Sequence, residues 1–240
     1  MDVPEPSRNA PVYVIGDIHG RLDLLERMIS AIHSDSGERG GNSLTVTVGD
    51  YIDRGPNSRG VIARLMANPF PGRYLALKGN HEAIMLTFLA DPQIGSYWAQ
   101  LGGRETMLSF GVDVLRSWGR PNFEQAAAAL RAALTDEEVR FLNSLSCSLS
   151  LPEYLICHAG VRPGVPLDRQ REEDLLWIRE PFLNSEGDFG KCVVHGHTPV
   201  FAPEVKANRI NVDTGAFIRG RLSCVVLEGG APRFLMAMGD

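Results

Sequence analysis

The segment VYVIGDIHG, residues 12–20, opens the pattern that decides the fold. A short apolar run ends in a glycine-bounded turn that carries Asp17 and His19, and a helix-like stretch follows at 21–35. The same order returns in SLTVTVGDYIDRGPNS at 43–58 and in RYLALKGNHE at 73–82. A repeated order of strand, polar turn and helix predicts an α/β fold, with its polar turns at the carboxyl ends of the strands.

The rest of the chain divides into a helical and a strand-rich part. Residues from about 92 to 145 are predicted to form a helical insertion, in which TDEE at 135–138 has the pattern of a capped helix start. Apolar runs then end in YLICHAG, KCVVHGHTP, RINVDTG and SCVVLEG, which favours a second sheet with a more antiparallel edge. We predict a flexible lead-in at 1–10 and one catalytic domain at 11–240.

Bulk composition excludes several classes of protein. With 240 residues and 44% hydrophobic content, the chain is long enough for one sizeable core. No apolar run reaches the roughly 18 residues of a membrane span, and the start lacks the order of a secretory signal. The net charge is -5 and basic residues form no block, which argues against binding to a nucleic-acid polymer. The composition does not indicate the oligomeric state.

The cysteines indicate the compartment. They are scattered without a paired CxxC, and three stand in strand-like apolar runs: Cys147, Cys157, Cys192 and Cys224. This spacing favours reduced, buried thiols over a disulfide framework or a zinc site. We therefore expect a cytoplasmic protein.

The histidines concentrate the chemistry. Of the six, only His33 lies on a helix-like stretch, while five follow strand-like runs: His19, His81, His158, His195 and His197. A single histidine at a strand end is commonly a hydrogen-bonded loop residue. Five of them, accompanied by Asp17, Asp50, Asp53 and Asn80, favour a metal site. Oxygen ligands mixed with imidazole suit manganese, iron or zinc.

Two local features support that interpretation. Asp17 and His19 are two residues apart, so on an extended segment both side chains share one face and can reach a single ion. Asp50 stands alone at the end of the next strand, which makes it the natural carboxylate to bridge two metals.

Taken in order, five motifs resemble those of the calcineurin-like metallophosphoesterases: GDIHG at 16–20, GDYIDRG at 49–55, GNHE at 79–82, HAG at 158–160 and HGHTP at 195–199. The chain is most similar to the branch of serine/threonine protein phosphatases of bacterial and lambda-phage type. The resemblance implies a four-layer α/β/β/α sandwich with two mixed central sheets and the site at one edge.

The resemblance also implies a role for each motif residue. Two divalent ions, manganese first with iron or zinc as alternatives, would be held by Asp17, His19, Asp50, Asn80, His158 and His197. His81 would be the general acid and Asp53 would orient it. The substrate phosphate would contact Arg54, Asn80 and Arg179. His195 precedes the last ligand position and is expected to lie beside the ligands, and Asp213 is interpreted as structural or as lying beside the ligands.

The implied reaction is hydrolysis of a phosphomonoester by a hydroxide that bridges the metals, with a phosphoprotein or phosphopeptide as substrate. A symmetrical diadenosine tetraphosphate hydrolase is the alternative enzyme. That branch tends to have alanine where Asp53 stands and aspartate after its GNH, so this chain departs from it twice. A catalytically inert metal-binding interaction module is the third hypothesis. The insertion, flanked by Trp98 and Trp118 as packing residues, is expected to form a cap or wall that selects the substrate.

Overall fold

The computed structural model describes residues 10–37, 42–113 and 122–239. The expected lead-in at 1–10, apart from its last residue, and Trp118 lie outside these ranges. Within them, the strands form two five-stranded sheets. The first sheet contains β1 (Val12–Ile15), β2 (Leu44–Thr47), β3 (Arg73–Ala76), β9 (Arg221–Leu227) and β10 (Arg233–Met238). The second contains β4 (Ser148–Ser150), β5 (Tyr154–Cys157), β6 (Cys192–His195), β7 (Glu204–Val205) and β8 (Arg209–Asn211).

Both sheets are mixed, as expected. The first has the order β10-β9-β1-β2-β3, in which β1, β2 and β3 are parallel and the β9–β10 hairpin joins β1 antiparallel. The second has the order β4-β5-β6-β8-β7, with a parallel centre and antiparallel edge strands. One expectation changes here. The SCVVLEG run belongs to the first sheet, because β9 pairs Leu227 with Val12 and Cys224 with Ile15.

The helices connect and cover these strands. They are α1 (Leu22–Ser36), α2 (Ser58–Met66), α3 (Asn80–Ala90), α4 (Gly95–Trp98), α5 (Arg104–Ser109), α6 (Phe123–Ala133), α7 (Asp136–Ser144), α8 (Glu172–Trp177), α9 (Glu180–Leu183) and α10 (Ala216–Arg219). A π-helical stretch, Ala99–Gly103, joins α4 to α5. Within the described residues, no helix has the length and apolar character to cross a membrane.

Alternation along the strands builds four layers. Successive side chains of a strand point to opposite faces of the sheet. Val12 and Val14 lie in an aliphatic layer between the two sheets, whose other members include Leu44, Val46, Ile156, Val194, Ile210 and Val225. Tyr13 and Ile15 face the opposite way, into the cluster with α1, α2 and α3. On the second sheet, Leu155 and Val193 pack against α8 and α9. The order of layers is therefore α/β/β/α.

All four cysteines are free thiols. Cys157 and Cys224 are buried inside strands, while Cys147 and Cys192 are half-buried. Burial raises the pKa of the Cys157 thiol to about 12, so this thiol stays protonated at neutral pH.

Glu82, in the first turn of α3, ties the ends of two neighbouring strands together. Its fully buried carboxylate accepts backbone N–H groups of Asp50 at 2.9 Å, Tyr51 at 2.8 Å and Gly79 at 2.9 Å. The loops after β2 and β3 are thus joined through one side chain. Position 79 must be glycine, because a Cβ there would lie 2.2 Å from Asp50 Oδ1.

Replacing Glu82 with Gln should lower the free energy of unfolding by roughly 2–3 kcal/mol, because the amide NH2 faces buried N–H donors and leaves at least one of them unsatisfied. Urea unfolding followed by circular dichroism measures the change. Glu138→Gln is the matched control. Glu138 also lies in the first turn of a helix, α7, but among the described residues it accepts one backbone N–H, that of Thr135. Its loss should be about 1 kcal/mol, and equal losses for the two variants would contradict a special role of Glu82.

Candidate active site

The six expected metal ligands converge at the carboxyl ends of parallel strands from both sheets. Asp17 and His19 follow β1, and Asp50 and Asn80 follow β2 and β3. His158 and His197 follow β5 and β6 of the second sheet. None of the six exposes more than 7% of its surface. A buried group of this kind needs partners, since unpaired polar atoms in a low-dielectric interior are costly.

Four potential ligand atoms lie close together where the second ion is expected. His158 Nε2 lies 2.9 Å from Asn80 Oδ1, 3.2 Å from His197 Nδ1 and 3.4 Å from Asp50 Oδ1. His158 donates its Nδ1–H to the carbonyl of Val48 at 3.0 Å, so in the neutral ring Nε2 carries a lone pair. His158 Nε2, Asn80 Oδ1 and Asp50 Oδ1 all present lone pairs here, and lone pairs that face one another favour a cation between them. This donor set therefore fits a divalent metal.

A second group shares Asp50 with the first. His19 donates Nδ1–H to the carbonyl of Ile52 at 2.8 Å and turns Nε2 toward Asp50 Oδ2 at 3.5 Å. Potential ligand atoms of His19, Asp50 and His81 all lie within 4.8 Å of one another, as do those of Asp50, His158 and His197. Asp50 is thus common to both groups.

Asp17 lies beside this second group, and the structure does not bring it into either set of three. Its carboxylate accepts the backbone N–H of His197, at 3.0 Å for Oδ2. Burial, followed by the charges of Asp213 and Asp50, raises the pKa of Asp17 well above its usual value. Carboxylates held together in this way favour a nearby cation, because a positive charge offsets their mutual repulsion.

The ring protonation states suit metal binding. Burial lowers the pKa of His19 to about 3 and that of His197 to about 2, and it also lowers the pKa of His158. All three rings are therefore neutral at physiological pH. Neutral imidazole is the form that binds a metal.

His81 and Asp53 form a pair next to these groups. His81 donates Nδ1–H to Asp53 Oδ2 at 2.6 Å, and Asp53 is fully buried. Burial alone would lower the pKa of His81, but the charges of Asp50 and Asp53 and this hydrogen bond outweigh it and raise the pKa above the usual value. A raised pKa favours a protonated ring, as a general acid requires.

The two arginines expected to bind phosphate differ in placement. Arg54 points into the cluster, with Nη1 3.1 Å from His19 Nε2 and Nη2 3.2 Å from His81 Nε2. Its guanidinium lies over the ring of Phe217, 4.7 Å from the centroid. Arg179 is exposed at the rim. Its charge is among the smaller influences that lower the pKa values of His158 and His197, after burial.

Backbone strain marks the same region. Six non-glycine residues in the described parts of the chain have a clearly positive φ, and five of them are site residues: His19, Asp50, Asp53, Arg54 and His197. Left-handed backbone at such residues costs on the order of 1–3 kcal/mol each and persists only where the surroundings hold it. Strain concentrated in this way is typical of functional sites.

His195 and Asp213, which are not among the expected ligands, contact other parts of the structure. His195 packs its ring against Phe182, with centroids 4.9 Å apart, and its Nε2 has no hydrogen-bond partner among the described residues. Asp213 accepts the backbone N–H of Gly215 at 2.9 Å.

Sequence reasoning missed four residues that hold the site. They are Glu82, Trp98, Thr106 and Phe217. Trp98 is a buried packing residue, as expected, but it also donates its indole N–H to Asp53. The available signal was indirect: a buried aspartate needs donors, yet nothing near residue 53 shows which distant residues supply them.

Most of this chain is similar in sequence to known proteins. A sequence model of the calcineurin-like phosphoesterase family matches residues 10–220. Serine/threonine-protein phosphatase 1 of Salmonella typhimurium is 31% identical over 223 residues, which cover 90% of this chain and 92% of that protein. The asymmetrical bis(5'-nucleosyl)-tetraphosphatase PrpE of Oceanobacillus iheyensis is 24% identical over 229 residues, 88% of this chain and 86% of that one.

A solved structure described as a putative diadenosine tetraphosphatase matches with a TM-score of 0.66 at 23% identity, covering 98% of this chain and 97% of the other. This likeness concerns the fold, and it confirms the expected two-sheet architecture. The family resemblance of the motifs is confirmed by the match over residues 10–220. The chain therefore belongs to the calcineurin-like phosphoesterase family, and it is a hydrolase of phosphoric esters.

Proposed function

We propose that this protein is a dinuclear metal-dependent serine/threonine protein phosphatase. The observation that carries the proposal is the His81–Asp53 pair, which stands with Arg54 beside two groups of ligand atoms that share Asp50. The 31% identity to a protein named serine/threonine-protein phosphatase 1 supports the same substrate class.

The chain would hold one ion with Asp17, His19 and Asp50 and the other with Asp50, Asn80, His158 and His197. When bound, two divalent ions supply an activated water and neutralise charge on the phosphoryl oxygens. We propose manganese, with iron or zinc as alternatives, because carboxylate, amide and imidazole ligands suit these metals.

Arg54 and Arg179 would bind the phosphate. A guanidinium offers paired N–H donors that match phosphoryl oxygens in one plane. Arg54 is already oriented, since Phe217 covers one face and its Nε donates to the carbonyl of Leu101 at 3.4 Å. Arg179, exposed on the rim, is free to adjust to the substrate. Asn80 is proposed to contact the phosphate as well as the metal.

His81 would donate a proton from Nε2 to the departing serine or threonine oxygen. Its Nδ1–H is held by Asp53, so Nε2, which lies 3.2 Å from Arg54 Nη2, is the nitrogen that would face the substrate. An alkoxide is a poor leaving group, and protonation as the P–O bond breaks contributes about 10²–10⁴ in rate. The acid is therefore most valuable for a phosphoserine or phosphothreonine substrate.

Hydrolysis of diadenosine tetraphosphate is the second candidate. It is favoured by relatives named asymmetrical bis(5'-nucleosyl)-tetraphosphatase, which match 88% of the chain at 24–26% identity. The leaving group of that reaction is a phosphate, which needs less protonation than an alkoxide. A strong Asp53–His81 hydrogen bond, which orients the proposed acid, is more useful for hydrolysis of a phosphomonoester than for hydrolysis of diadenosine tetraphosphate. Arg54 beside the ligands also favours catalysis over an inert binding module.

Replacing His81 with Asn should lower kcat on a phosphothreonine peptide by about 10²–10⁴, because the general acid is lost. Activity on 2,4-dinitrophenyl phosphate, whose leaving group needs little protonation, should fall far less. Steady-state kinetics of the Mn²⁺-loaded protein measures both. His33→Asn, on the exposed face of α1, is the control and should leave both rates unchanged. Full activity of the His81 variant on the peptide would rule out the acid role.

Replacing Asp50 with Asn should lower the number of bound metal ions from two, because the carboxylate common to both ligand groups is lost. Equilibrium dialysis against Mn²⁺ with elemental analysis of the protein gives the count. Asp168→Asn, at an exposed carboxylate outside the site, should retain both ions. An unchanged count in the Asp50 variant would refute the shared ligand.

The wild-type protein should hydrolyse a phosphothreonine peptide with a higher kcat/KM than diadenosine tetraphosphate. Release of inorganic phosphate from the peptide and of nucleotides from the dinucleotide, measured side by side with Mn²⁺, provides the comparison. A preference for the dinucleotide would contradict the proposal and favour the second candidate, hydrolysis of diadenosine tetraphosphate. Activity on neither substrate with two ions bound would favour the binding module.

A further inference from the structure

The carboxylate of Asp53 is bonded on both oxygens, and two of its partners come from the insertion. Oδ2 accepts Nδ1–H of His81 at 2.6 Å and Nε1–H of Trp98 at 2.8 Å. Oδ1 accepts the hydroxyl of Thr106 at 2.6 Å. Asp53, Trp98 and Thr106 are all fully buried. The rotation of the carboxylate is therefore fixed by α4 and α5.

The proton arrangement around Thr106 has one solution. A hydroxyl carries a single proton, and that of Thr106 is directed to Asp53 Oδ1. Ser58 lies 2.9 Å away and must therefore donate its own proton to Thr106 Oγ1. The same oxygen accepts the backbone N–H of Asp53 at 2.8 Å. Thr106 thus binds both the side chain and the backbone of Asp53.

The insertion also holds the strained turn that carries Asp53. Asp53 and Arg54 have φ values of 70° and 69°, two left-handed residues in succession. The carbonyl of Gly102 accepts the backbone N–H of Arg54 at 3.2 Å. Gly102 has a φ of 108°, and a Cβ there would lie 2.5 Å from the Arg54 nitrogen. The chain between α4 and α5 is therefore shaped to approach this turn.

We propose that Trp98 and Thr106 are positioning residues for proton transfer to the leaving group. They fix Asp53 so that Oδ2 points at His81 Nδ1, and this places His81 Nε2 at the departing oxygen. The proton moves from Nε2 to that oxygen as its bond to phosphorus breaks, and neither Trp98 nor Thr106 touches the substrate. The inference deepens the proposed function and rests on it.

The test compares aryl phosphates whose leaving groups differ in their need for a proton. Trp98→Phe keeps an aromatic ring, smaller than the indole, and loses the N–H donor, whereas Thr106→Val keeps the shape and loses the hydroxyl. For each variant, kcat on phenyl phosphate should fall about tenfold, a part of the roughly 10²–10⁴ that a general acid contributes. KM, bound metal and kcat on 2,4-dinitrophenyl phosphate should stay unchanged.

Three controls separate positioning from packing. Thr106→Ser retains the hydroxyl and should restore kcat on phenyl phosphate. Thr47→Val removes a buried hydroxyl that contacts Tyr51 and Tyr74 away from Asp53. Phe88→Leu disturbs the packing of Trp98, whose ring centroid lies 4.8 Å from that of Phe88, without removing its N–H. Neither of the last two should make the rate more sensitive to the leaving group.

A loss of the same size on both aryl phosphates would overturn the inference, and so would no loss on phenyl phosphate. If Trp98→Phe does not fold, the comparison of Thr106→Val with Thr106→Ser decides.

A wild-type protein inactive on both esters would defeat the proposed function instead. In that event, exchange of the His81 Nδ1 proton with water, followed by NMR, still tests positioning. It should be faster in Thr106→Val than in wild type or Thr106→Ser, and equal rates would refute the inference.

Discussion

The buried carboxylate of Glu82 is the constraint on which the candidate site depends. It accepts N–H groups from the loops after β2 and β3; the first of these loops carries Asp50, and the second leads directly into Asn80 and His81 at the start of α3. Backbone donors at the ends of strands would otherwise face the interior unpaired. One side chain therefore satisfies the backbone and sets the distance between two strand ends. Because Glu82 follows His81 in the chain and binds the backbone N–H of Asp50, the two groups of proposed ligand atoms and the proposed acid share the same support.

The sequence was most informative where structure and chemistry are local. Asp17, His19 and Asp50 stand in short motifs that directly follow apolar strands, so their meeting at one edge followed from the α/β pattern. The four-layer architecture followed from the family resemblance. The return of β9 to the first sheet was not predictable from SCVVLEG alone, since an apolar strand of this kind fits either sheet.

The residues that support the site could not be predicted from the sequence, and the reason is physical. Trp98 and Thr106 stand 45 and 53 residues from Asp53, and their contacts exist only once the chain is folded. Their residue types are equally suited to plain packing. The insertion is expected to select the substrate, and its described part from α4 to α5 also donates and accepts hydrogen bonds that hold Asp53 and Arg54. These hydrogen bonds offset the strain of the two consecutive left-handed residues Asp53 and Arg54.

The division of the proposed ligands between two sheets has a consequence for the aliphatic layer. Asp50 and Asn80 follow the first sheet, whereas His158 and His197 follow the second. The gap across which they meet is set by side chains such as Val46 and Val194, which lie between the sheets. Interiors are packed closely enough that one methylene is felt. The layer thus acts as a spacer that sets the separation between the proposed ligands of the two sheets, and in related proteins its residues should exchange volume in compensating pairs across the sandwich.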